Sequence, residues 1–286
     1  MSLTPDERMA RWARVRWSTA PPAALHATTV EVPERGSTAG SFRVLVANGA
    51  DSLTYWVKPL SGPEGPVATI AEMIVSRLGV LIGAAVCEGH FVDVSVAADT
   101  KSSSAADVQA LAFGTRELSD VVTDSPMVRF YKKDINRNRF ASFLGLYQWC
   151  LGGDPQWFYI GRGEFRAVGH DFGRYFLPGE DWRRQDRPYW DSDSLKASVD
   201  IRRTHRELEK HADPKAARDV ASRILAVDHQ ALVGILDPIA AAWAAIQPSP
   251  FKEVSVAGTM RVMGWFLESR RELVAEQLIK LADRAT

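Results

Sequence analysis

LGGDPQWFYIGRGEFRAVGHDFGRYF, residues 151–176, is the stretch on which the reading of this chain turns. WFYI at 157–160 is β-prone, GRG at 161–163 is turn chemistry, and EFRAV at 164–168 alternates apolar with polar residues. The pattern predicts a hairpin with Asp154 just before its first strand and Asp171 just after its second. Both carboxylates then emerge at the same end, within reach of one ion or one phosphate group. Asp beside Gly is also ordinary turn chemistry, and the segment alone fits a plain hairpin equally well.

The residues before it read as a small antiparallel sheet. TTVEV at 28–32 alternates, Ser41–Ala47 is a β-run, Asn48-Gly49 is a turn signal, and LTYWVK at 53–58 is a further strand. GSTAG at 36–40 falls in a turn between two strands. A turn of this kind can bring backbone N–H groups against phosphate oxygens, which makes Gly36 and Ser37 candidate nucleotide contacts. Read on its own it is a hairpin loop, and it is not a GxxxxGK phosphate loop. Lys58 ends its strand, and Pro59 stops further pairing. Residues 68–78 have helical spacing with Ile70, Ile74, Val75 and Leu78 apolar, Glu72 in the first half and Gly79 as a terminator. A strand lysine and a glutamate on the next helix can form an ion pair that offers the ammonium to phosphates; separately, each is a surface charge.

Val80–Val86 and His90–Val96 read as strands, the second leading towards an interlobe hinge, and the serine-rich 99–107 reads as a loop or linker. LAFGTR at 111–116 precedes a short helix or loop to Asp124. Residues 136–151 form a helix, with Asn138 as its cap, that delivers the chain to Gly152-Gly153-Asp154. Further helices are expected near 198–209, 214–225, 229–246 and 260–282, and an amphipathic one runs over Thr4–Trp17, capped by Thr4 or Asp6.

Composition narrows the classes. With 35 basic and 35 acidic residues among 286, bulk charge marks neither a nucleic-acid nor a membrane surface. The longest apolar runs, Val80–Val86 and Ile239–Ile246, are too short to span a bilayer, and Met1–Trp17 lacks the apolar core of a secretory signal. The expectation is a cytoplasmic protein in which Cys87 and Cys150 are buried free thiols, with no metal-binding cysteine spacing.

Lys58, Glu72, Asp154 and Asp171, in that order, resemble the HipA-like branch of the protein-kinase-like fold, itself similar to phosphatidylinositol 3/4-kinases. YWVKP at 55–59 is similar to the strand bearing that family's nucleotide lysine, and TIAEMIVSRLG at 69–79 to its glutamate-bearing helix. FGTR at 113–116 resembles a short loop of compact members, GGDPQ at 152–156 the catalytic loop, and GHDFG at 169–173 the metal-binding motif. The resemblance spans roughly residues 36–176.

It implies an α+β, two-lobed protein-kinase-like fold. Residues 1–98 would form a β-rich N-terminal lobe, with an N-terminal helix within 1–24, and residues 99–286 a mainly helical C-terminal lobe. It further implies an ATP-dependent phosphotransferase using Mg²⁺, acting on a hydroxyl of a protein or small polar molecule. Lys58, Glu72, Gly36 and Ser37 would hold nucleotide, Asp171 the metal, and Asp154 with Gln156 the reacting hydroxyl.

Two departures stand out. The family places an asparagine metal ligand about five residues after the catalytic aspartate, where this chain has Tyr159. Pro155 and Gln156 replace the arginine and histidine of lipid-kinase-like members. These favour a second reading, a nucleotide-binding pseudokinase serving as a regulatory or interaction module. A third is an α+β scaffold that binds no nucleotide.

Overall fold

The computed structural model describes residues 3–31, 41–49, 51–60, 66–95, 111–124, 127–176, 192–244 and 255–284. The 36–40 turn with Gly36 and Ser37 and the 99–107 loop lie outside the described residues.

Five strands close a small barrel: β1 (Leu25–Glu31), β2 (Phe42–Asn48), β3 (Asp51–Pro59), β4 (Gly89–Asp93) and β5 (Leu111–Arg116). Their order is β1-β2-β3-β5-β4, and a parallel pairing of β1 with β4 completes the ring. Strand parity fills it. Val44, Val46, Tyr55, Val57, Val92 and Ala112 form one buried cluster, and on β3 the alternate residues Trp56 and Lys58 face outward. LAFGTR is therefore a full barrel strand, paired with both β3 and β4. The strand-rich unit extends past residue 98, to Arg116.

Helix α2 (Pro66–Leu81) is buried along nearly its whole length, as its almost unbroken apolar sequence requires. It passes Gly79 without stopping and turns only at Gly83, whose φ is +69°. The strand expected over 80–86 is absent because the helix continues through Val80 and Leu81. Gly79 is needed for contact instead, since a Cβ there would lie 2.7 Å from Val86. Residues 85–87 then stitch to a second sheet, with Gly169 N donating to Ala85 O at 2.8 Å and Cys87 N to Gly169 O at 2.9 Å.

That second sheet has the order β6 (Val121–Asp124), β7 (Gln156–Ile160), β8 (Arg166–His170). Helix α3 (Asp134–Trp149) starts four residues before the expected Asn138 cap, and no side chain caps it. The buried Asn136 serves the hairpin instead. Its amide donates to Phe130 O and Phe165 O and accepts from Ala167 N, at 3.2, 2.8 and 2.9 Å.

The helix expected over 198–209 is two short ones, α4 (Ser192–Ala197) and α5 (Arg206–His211). α6 (Pro214–Ala226), α7 (His229–Ala244) and α8 (Val256–Asp283) follow close to expectation. No single helix among the described residues is long and apolar enough to cross a membrane.

The main core is continuous from α2 through α3 into α7 and α8. Arg270 of α8 is fully buried and donates to Gln148 O, Trp149 O, Ser198 O and Val199 O, so the last carbonyls of α3 are satisfied by a side chain far along the chain. α1 (Pro5–Ala13) carries the expected Thr4 cap, reinforced by a reciprocal bond with Glu7. It buries Trp12 on α8, where the indole N–H donates to Glu268 at 2.7 Å.

Trp12 lies so close to Gly264 that a Cβ there would be 2.3 Å from the ring, whereas one at Gly234 on α7 would meet nothing within 4 Å. Gly264→Ala is expected to cost about 1–3 kcal/mol by overpacking, and Gly234→Ala to gain up to about 1 kcal/mol of helix propensity. Denaturant unfolding of the two variants beside wild type measures both.

Candidate active site

Parity on β3 turns Lys58 away from the barrel interior, and α2 brings Glu72 beneath it. The ammonium lies 2.5 Å from Glu72 Oε1 and 3.3 Å from Asp171 Oδ1. Two consecutive elements and a residue more than a hundred positions further on thus meet at one cation. Glu72 is almost wholly shielded from solvent, with 6% of its side chain exposed, while 40% of Asp171 is open.

Burial pushes the Glu72 carboxyl up to about 7, with Lys58 pulling it down and Asp171 pushing it further up. At Asp171 burial also raises the carboxyl, but the Lys58 charge and hydrogen bond outweigh it and leave the group below the usual range. With two carboxylates sharing one ammonium, it is the deeper glutamate whose proton affinity rises. Asp171 also has φ +53°, in the left-handed region, a strained conformation of the kind that gathers at functional sites.

The β7–β8 register pairs Gln156 with His170, so Asp154 and Asp171 do leave the hairpin at the same end. Asp154 Oδ2 accepts from Gln156 Nε2 at 3.2 Å and from Arg174 Nη1 at 3.0 Å. Gly153 N donates to Arg174 O at 3.0 Å, and a Cβ on Gly153 would approach that oxygen to 2.6 Å. Asp154, Gln156 and Arg174 therefore form a second group at the hairpin mouth, beside the Lys58–Glu72–Asp171 group.

A cleft of about 670 Å³ opens above Lys58, within the range of ordinary ligand pockets. Its walls include Trp56, Lys58, Asp171 and the residues after β5, Glu117 and Leu118. Phe158 and His170 also line it, stacked with ring centroids 3.6 Å apart. Cys87 borders it as well, but burial pushes its thiol up to about 12, which leaves it unreactive.

No family model and no curated protein matches this chain. Among solved structures it is similar to a Helicobacter pylori proinflammatory kinase, CtkA. Identity is 11%, the TM-score is 0.47, and the match covers 92% of this chain and 100% of the other. At that distance the likeness assigns no activity.

Position 159 is settled by the pleat. On β7, Gln156 and Phe158 face outward, while Trp157 and Tyr159 are buried. The Tyr159 hydroxyl accepts from Arg129 N at 2.7 Å and Trp157 Nε1 at 2.9 Å, with Met127 O at 3.0 Å as a partner for its proton. It belongs to the core and faces away from the cleft. Among the described residues no three His, Cys, Asp or Glu side chains converge as a metal site. The contact of Arg174 with Asp154 and the Phe158–His170 stack were not foreseen from sequence. Counting β7 residues by twos from Gln156 identifies Phe158 as an outward-facing side chain.

A carboxyl raised in the folded state binds its proton more tightly there than in the unfolded chain. Its contribution to stability is full below the unfolded value of about 4.3 and is lost as pH rises through about 7. The half-buried histidines with lowered values, such as His205, act in the opposite sense, so the useful quantity is a difference. In the ligand-free protein, Glu72→Gln is expected to gain thermal stability relative to wild type between about pH 5 and pH 8. Paired melting curves across that range test it.

Proposed function

We propose that this chain is an ATP-dependent phosphotransferase of two-lobed, kinase-like design, with the cleft between barrel and hairpin as its nucleotide site. The observation that carries the reading is the Lys58 ammonium held between Glu72 and Asp171 on the cleft wall. Lys58 would meet the nucleotide phosphates, Glu72 would fix its position, and Asp171 would ligate the metal.

The donor set suits Mg²⁺. That ion keeps most of its water and is commonly bound by one or two carboxylates together with substrate phosphates, so a single half-exposed aspartate beside a phosphate-binding lysine is a sufficient protein contribution. When bound, it would neutralise charge on the phosphates. Asp154 would accept the proton of the acceptor hydroxyl, and Gln156, which donates to Asp154, would hold that carboxylate in orientation. Catalysis would rest on positioning and charge, with no covalent intermediate on the protein. The acceptor would be a hydroxyl of a protein or of a small polar molecule.

One observation favours the pseudokinase alternative. Tyr159 is committed to the core, and β7 offers only the amide of Gln156 as a further oxygen ligand near the mouth. That reading keeps the nucleotide and loses the transfer.

Calorimetric titration separates these readings. Wild type is expected to bind ATP more tightly with Mg²⁺ than without, and Asp171→Ala to lose the metal-dependent part. Asp154→Ala is expected to keep binding and lose phosphoryl transfer by about 10²–10⁴-fold. Metal-dependent binding without transfer in wild type selects the pseudokinase. Absence of any nucleotide binding sinks both readings and leaves a scaffold.

A further inference from the structure

We propose that Arg174 stabilises the phosphoryl group during transfer, as the cation on the acceptor side of the site. The inference rests on the phosphotransferase reading and assigns a charge that the 152–156 loop does not supply.

The argument begins with where charge develops. A phosphoryl group in flight spreads negative charge over its three equatorial oxygens. Lys58 is already held between Glu72 and Asp171. The loop and first strand residues after Asp154, PQWF, carry no cation. After Asp171 the chain runs Phe172, Gly173, Arg174, so an arginine follows the proposed metal ligand by three residues. Its guanidinium already lies at the proposed proton acceptor, 3.0 Å from Asp154 Oδ2.

That placement is built in by the backbone. Gly153 N donates to Arg174 O at 3.0 Å, and Phe176 N donates to Cys150 O at 2.7 Å, which zips residues 174–176 onto 150–153. Both glycines before Asp154 are needed for the fit. A Cβ on Gly152 would lie 2.3 Å from Tyr147, and one on Gly153 would lie 2.6 Å from Arg174 O. The segment bearing the cation and the loop bearing the carboxylate are thus one unit, and the guanidinium cannot drift from Asp154 by backbone motion of either alone.

A guanidinium suits two anions at once. A planar fork with donors on more than one edge is suited to a carboxylate and a phosphoryl oxygen together. In the transfer, the bond from the acceptor oxygen to phosphorus forms as the bond to the nucleoside diphosphate breaks. The acceptor proton passes to Asp154, and Arg174 keeps its protons throughout. The competing explanation is an exposed surface ion pair with no part in transfer.

The test uses calorimetry with Mg-ADP alone and with Mg-ADP plus aluminium fluoride, a mimic of the phosphoryl group in transfer, so that turnover is not required. Wild type, Arg174→Ala and Arg174→Lys are compared, with thermal melts to confirm folding. Mg-ADP affinity is expected to stay within about 3-fold across all three, because ground-state binding does not use Arg174. The tightening caused by aluminium fluoride is expected to fall about 10²-fold in Arg174→Ala and to return in part in Arg174→Lys. Undiminished tightening in the alanine variant overturns the proposal, and so does wild-type Mg-ADP binding that fluoride leaves unchanged; in both cases the nucleotide site stands. Equal loss of Mg-ADP affinity on its own reassigns Arg174 to ground-state binding. Failure of wild type to bind Mg-ADP removes the nucleotide reading and this inference together.

Discussion

A carboxylate placed on a helix that is otherwise buried and apolar is the constraint from which the rest of the arrangement follows. Glu72 has almost no access to water, and removing an unpaired charge from water costs several kcal/mol. It is tolerated because β3 ends in a lysine whose ammonium reaches it, and because its proton affinity rises to meet its surroundings. Lys58 can do this only if β3 keeps its parity, with Tyr55 and Val57 inside the barrel and Trp56 and Lys58 outside. The barrel, the helix and the charge pair are therefore one problem with one solution. Moving any of them by one residue leaves a buried charge alone.

The hairpin meets this assembly from the other side. Asn136 pins it to the start of α3 through two amide bonds, to Phe165 O and from Ala167 N, and residues 85–87 pin β8 to the exit of α2. With both edges fixed, the β7–β8 register determines where the two aspartates emerge. Asp171 accepts a left-handed backbone there, which a free turn would give to glycine. The opposing needs of Asp171 and Glu72 are settled by depth. The shallower group is held below the usual carboxylate range, and the deeper one is pushed above it.

The site was more legible in the sequence than the elements around it. The order of Lys58, Glu72, Asp154 and Asp171, with alternation on either side of a glycine turn, was enough to place the ion pair and the shared end of the hairpin. The errors fell where tertiary contact overrides local preference. Val80–Val86 is an apolar run with three β-branched residues and reads as a strand, yet α2 continues to Leu81 because the helix is packed into the core on the preceding turns. FGTR at 113–116 resembles a short loop of compact family members, but Gly114 is needed in a barrel strand, where a Cβ would lie 2.7 Å from Val92. Asn138 was read as a cap and is not one; the asparagine that matters is Asn136, whose partners lie some 30 residues further along the chain. Spacing from Asp154 along the chain points to position 159, whereas the pleat decides which side chains reach the mouth.

Arg270 gives α8 a role beyond packing. Its guanidinium sits in the core without a carboxylate among its hydrogen-bond partners, satisfied by carbonyls at the end of α3 and after α4. Those α3 carbonyls come immediately before the turn that carries Asp154. α8 also holds Trp12 of α1 through Glu268. The long final helix is thus a common footing for the beginning of the chain and for the catalytic-loop candidate. A force or a partner that shifts α1 along α8 acts on a rod that also holds the end of α3, just ahead of the loop bearing Asp154.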